Sequence, residues 1–100
     1  MPLIYHVTTK IDWDNARQQG SYICASLVDE GFIHCSQEHQ IEGVLQRYFE
    51  GQANLVKLVI DTDKLRSRWV FDWSPSMADT FPHVYGPINV DSVVGVTSIA

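Results

Sequence analysis

Hydrophobic and polar positions change period several times along the 100-residue chain, and each change predicts an element. Leu3 to Thr8 alternates, with Leu3, Tyr5 and Val7 on one face and Ile4, His6 and Thr8 on the other, the pattern of a strand. Ile11 to Gln19 reads as a short helix: Trp13 and Ala16 share a face, Thr9 and Asp12 have capping-box spacing, and Gly20 can end it. Ser21 to Asp29 has no period and reads as a loop with one brief helical turn. Phe32 to Cys35 predicts a second strand, pairing Phe32 with His34 on one face and Ile33 with Cys35 on the other. Ser36 then stands as N-cap of a helix with Glu38 in its first turn. Ile41, Val44, Leu45, Tyr48 and Phe49 form its apolar stripe, and Gly51 is the expected stop.

The second half carries strand signals only. Leu55 to Ile60 is almost continuously apolar, and Lys57 marks a face or edge near solvent. After a turn over Asp61 to Leu65, Arg68 to Trp73 places Trp69, Phe71 and Trp73 on one side and Val70 and Asp72 on the other. Ser74 to Thr80 reads as a polar turn, Pro82 to Tyr85 as a short extended segment, and Val93 to Ile99 as the last strand. Two helices followed by strands alone argue against a doubly wound sheet. The expectation is one α+β domain over residues 1–100: two main helices on a small, twisted, mostly antiparallel sheet. Trp13, Tyr48, Phe49 and one or more of Trp69, Phe71 and Trp73 are its expected core bulk.

Composition narrows the partners. Twelve acids against seven Lys and Arg give a net charge of −5, and no cluster of cations occurs to grip a nucleic-acid backbone. No apolar run is long enough to span a membrane, and the first residues lack a signal-peptide pattern, so the expected location is cytoplasmic. Cys24 and Cys35, without a CxxC, read as reduced thiols rather than a disulfide framework. A monomer or a homodimer fits this size.

Four histidines, at 6, 34, 39 and 83, are the first chemical candidates. None matches a tight metal signature; zinc at His34, Cys35 and His83 would have to be assembled from separate segments, and no metal is expected. His39 reads as a solvated residue in a helix turn. His6, central in its strand, is either bonded to a backbone carbonyl or part of a pocket wall. His34 precedes a helix start whose N–H groups and Ser36 hydroxyl could receive an anion. Cys35 beside His34 is a poor dyad, because strand neighbours face opposite ways, and Ser26 and Ser36 lack a nucleophile elbow. In Phe81-Pro82-His83-Val84-Tyr85-Gly86-Pro87 two prolines fix the backbone around an imidazole and a phenol, which suits a ligand pocket or a structural corner equally.

IYHVTT, Trp13 and Ala16 with Gly20-Ser21-Tyr22, SLVDEGFIHCS, and FPHVYGPI together resemble the small bacterial DUF952 proteins, from about Leu3 to Thr97. The resemblance implies a fold related to the ADP-ribosyltransferase superfamily, including the NAD-using tRNA 2'-phosphotransferases. His6 and Thr8 match an HGT element whose histidine anchors a ribose of NAD, with Val7 in place of the glycine. His34 and Ser36 match a phosphotransferase stretch in which Glu30 replaces an arginine and Phe32 a histidine, which removes charge complementarity to phosphate. On that reading His34 contacts the acceptor, Asp72 steadies developing positive charge on ribose, and His6, Thr8, Ser26, Ser36, His83 and Tyr85 contact cofactor. The expected function is small-ligand binding, with NAD or another nucleotide as ligand. The alternative is a non-catalytic interaction module that kept the fold without the chemistry. Both histidines, His6 and His34, should open into one cleft beside Tyr85.

Overall fold

The computed structural model describes residues 2–99. Strand β1, Leu3–Thr9, runs antiparallel to β4, Leu55–Asp61, which in turn pairs with β8, Val93–Ser98. β4 is therefore the central strand, and this explains its near-continuous apolar sequence. Val56, Leu58 and Ile60 enter one core while Leu55 and Val59 join a second on the opposite face. Lys57 marks the more open face of this strand and not an edge, its Nζ lying 5.4 Å from the Tyr5 ring centre. A second antiparallel sheet has the order β3 (Ile33–His34), β6 (Asp79–Val84), β5 (Trp69–Ser74). A two-residue ladder joins β2, Ser21–Tyr22, to β7, Ile88–Asn89. The α+β architecture with antiparallel pairing is as expected.

A single bridge joins the two larger sheets. Tyr5 N–H donates to Ser36 O at 2.8 Å and Ser36 N–H returns to Tyr5 O at 2.7 Å. Pro82 explains why the chain crosses there. Cys35 N–H donates to Pro82 O at 2.9 Å, but proline has no N–H to give back. The β3–β6 ladder ends at His34, and Cys35-Ser36 passes to β1. Pro82 thus sits inside the middle strand of its sheet, where sequence rules discourage it. β6 consequently starts at Asp79, earlier than the extended segment read from the sequence, and Ser74–Thr80 divides between β5, a turn and β6.

Helix α1, Lys10–Gln19, is capped by Thr9 Oγ1 accepting from Asp12 N at 3.2 Å, and it closes on Gly20 at φ 89°. Trp13 and Ala16 are buried as expected. The helical turn in the 21–29 loop is α2, Ala25–Asp29. Ser36 is not the cap of the next helix, because its backbone is committed to β1. Instead Gln37 caps a 3₁₀ turn, Glu38–Gln40, in a reciprocal capping box with Gln40, and α3, Ile41–Tyr48, follows. The apolar stripe of α3 divides. Ile41, Leu45 and Phe49 pack against Tyr5, Val7 and Leu55, while Val44 and Tyr48, with Phe49, line a cleft. Trp13 is buried and Trp69 packs partly buried against the same core, as expected, whereas Phe71 and Trp73 are 50% and 61% exposed and Tyr48, expected as core bulk, is 52% exposed.

Candidate functional site

A cleft of about 720 Å³ lies where β1, the 32–36 segment, β5, β6 and α3 converge. His6, Thr8, Ser26, His34, Ser36 and His83 all line it, so the first-strand and second-strand histidines do share one cavity. Asp72 and Tyr85 do not line it; they reach it through His83.

His6 lies in β1 with its side chain on the same face as Ile4 and Thr8. Burial pulls its pKa down to about 4, so the ring is neutral. Its Nδ1 is 2.6 Å from the His34 carbonyl, which can only accept, so Nδ1 carries the proton. Nε2 then accepts from the Tyr22 hydroxyl at 2.8 Å, and the Thr8 hydroxyl, 3.0 Å from Tyr22 Oη, donates onward. Both nitrogens are spent on the protein, the first of the two readings for this residue. His6 is a strut between β1, β2 and β3, and it offers the cleft a ring edge and no free nitrogen. Thr8 is likewise held by Tyr22, and the Ser26 hydroxyl donates to the Phe32 carbonyl at 2.8 Å.

His83 is arranged differently. It is buried, on β6, with Nδ1 donating to Asp72 Oδ2 at 3.0 Å. The Tyr85 hydroxyl donates to the same Asp72 oxygen. That phenol is the main cause of Asp72's lowered pKa, and the carboxylate in turn raises Tyr85's. Burial lowers the pKa of His83 against the opposing pull of Asp72. An ionised carboxylate accepts only, so the proton sits on Nδ1 and Nε2 is left as a lone pair. Phe32 stacks on the His83 ring at 4.1 Å and 17°. His34 meets His83 edge-on at 5.1 Å, with its own Nε2 3.0 Å from Glu30 Oε2. Two carboxylate-oriented imidazoles therefore stand side by side on one cleft, the polar arrangement used for acid–base chemistry and for orienting a ligand.

The FPHVYGP segment is both a pocket wall and a corner: His83 faces the cleft, while Tyr85 N–H donates to Arg68 O at 2.8 Å and Ser67 Oγ to Pro87 O at 2.6 Å. Cys35 is 2% exposed in the core, and among the described residues no group of three or more His, Cys, Asp or Glu could hold a metal ion. This removes the zinc set His34, Cys35 and His83. Tyr22, Tyr48 and Trp73 were not singled out as site residues from the sequence. Tyr48 and Trp73 looked like core bulk, and nothing in the one-dimensional pattern brings Tyr22 to His6. Among the described residues no helix is long and apolar enough to cross a membrane.

Three solved structures share this architecture. The crystal structure of protein CC0527 from Caulobacter crescentus superposes with a TM-score of 0.88 at 32% identity, over 99% of this chain and 87% of that one. A double-methionine variant of the same protein gives 0.88 at 31% identity, again over 99% and 87% of the two chains. Its solution NMR structure gives 0.78 at 32% identity, over 99% and 85%. No curated protein matches the chain. The family described as "Protein of unknown function (DUF952)" matches residues 7–96. With the match spanning nearly the whole domain, both histidine–carboxylate pairs included, the chain belongs to the DUF952 family.

Proposed function

We propose that the protein binds a small molecule in this cleft, and that the ligand carries a flat ring of the kind found in NAD and other nucleotides. The observation that carries the reading is the pair His34 and His83, held by Glu30 and Asp72 on one cavity, with Phe32 stacked on His83 and edge-on to His34. A volume of about 720 Å³ suits a small organic ligand. Phe32, Tyr48 and Trp73 supply flat apolar surface, and the His83 Nε2 lone pair supplies a directional acceptor. The same lone pair, backed by Asp72, is a competent proton acceptor, so the site supports proton transfer as well as binding. The sequence likeness to ADP-ribosyltransferase elements at His6, Thr8, His34 and Ser36 adds NAD to the candidates. In that role Asp72 works through His83 rather than by touching a ribose.

Titration of labelled protein with NAD, ADP-ribose, nicotinamide and adenosine, followed by NMR, tests the reading. A saturable shift of the His34, His83 and Trp73 ring resonances, lost in His83→Ala but not in the surface variant His39→Ala, is the expected result. No saturable shift with any of the four at millimolar concentration would favour the interaction module without a ligand.

A further inference from the structure

The charge and hydrogen-bonding character of the lining goes further than the ring shape. Asp12 and Glu30 both line the cleft, and none of the described lining residues is Lys or Arg. His83 is 5% exposed, yet its Nε2 has no partner within the chain while Nδ1 is fixed on Asp72. Among the described residues no side-chain nitrogen or oxygen is both sealed from solvent and unpaired, so that Nε2 opens to the cavity. The polar groups that these three residues bring to the cleft, two carboxylates, one of them already holding His34, and one imidazole lone pair, are all acceptors. Exposed aromatic surface adjoins them at Trp73 and Tyr48, and the Tyr48 ring already carries one cation, the Arg47 guanidinium at 5.7 Å.

We infer that the cleft selects a cationic nitrogen group attached to a ring, a protonated amine or ring iminium, over neutral or anionic analogues. Its N–H donates to His83 Nε2 while Glu30 and the aromatic walls stabilise the charge. A phosphate placed there meets two carboxylates, with no Lys or Arg among the described lining residues. This rests on the small-molecule reading of the cleft. For a nucleotide it means that the ring is held and the phosphates stay outside.

Benzylamine, benzyl alcohol and benzoate share a ring and differ in charge at pH 7.5, which makes them suitable probes for calorimetry and NMR. Benzylammonium should bind about tenfold more tightly than benzyl alcohol, as a cation–π contact plus an exposed ion pair would give, with benzoate weakest. Glu30→Gln should shrink the preference severalfold without abolishing ring binding. A preference for benzoate or the alcohol would overturn the inference. So would failure of all three probes while NAD or ADP-ribose still shifts the cleft resonances, and in that case the cleft reading stands. If neither the probes nor the nucleotides bind, both fall.

Discussion

Histidine is costly to bury unless its ring nitrogens have partners or an opening to solvent, and His6 and His83, both buried, use these two solutions differently. His6 gives Nδ1 to the His34 carbonyl and Nε2 to Tyr22, whereas His83 gives Nδ1 to Asp72 and keeps Nε2 for the cleft. The sequence marked both residues as candidates, yet only tertiary partners could separate the imidazole with both nitrogens bonded from the one with a nitrogen open to the cleft. The His6 arrangement has a pH consequence. Its folded pKa, about 4, lies below the unfolded value of 6.5, so between these limits the unfolded chain holds the extra proton. Stability should be full above about pH 6.5 and fall as pH drops toward 4, by about 3 kcal/mol from this residue at ~1.4 kcal/mol per unit. Imidazole nitrogen shifts should show His6 as the neutral Nδ1–H tautomer down to pH 5. Protonation of His6 above pH 6 would contradict the assignment.

Periodicity located most elements, and the departures come from backbone hydrogen bonds made to distant segments. The stripe on α3 was legible, but it serves two surfaces: Ile41 and Leu45 fill a core, Val44 and Tyr48 line the cleft, and Phe49 contributes to both. Ser36 had the composition of a cap and became a bridge, because Pro82 ends one ladder beside it and β1 offers the next partner. At the corner after β6, Gly86 is needed for space and not for a left-handed backbone. A Cβ there would stand 2.5 Å from Ser67 Oγ and 3.0 Å from Ser67 Cβ, and that hydroxyl is tied to Pro87 O. Gly86→Ala should therefore cost about 1–3 kcal/mol in urea unfolding. Adding Ser67→Gly should recover part of the loss; no recovery would place the strain elsewhere.

For the molecule as a whole, the two thiols report on how completely the core is closed. Cys24 is half-buried beside Ser26 on the cleft, while Cys35 is sealed in the core, where burial raises its pKa. A disulfide-exchange reagent should label Cys24 in the native protein and reach Cys35 only at the rate of global unfolding. A cleft ligand should slow the first reaction, and equal rates at both sites would show that the core opens locally. The sequence by itself determined the α+β class, the antiparallel bias, the capped first helix and the alternation that sets Ile33 and Cys35 on the face opposite His34, because these follow from period and local chemistry. It also held both cleft histidines in two short motifs. Only the tertiary structure decided that Glu30 faces His34, that Asp72 and Tyr85 stand behind His83, and that Tyr22 locks His6. Those contacts join residues 4 to 16 positions apart on separate strands and turns, and such pairing leaves no periodic trace along the chain.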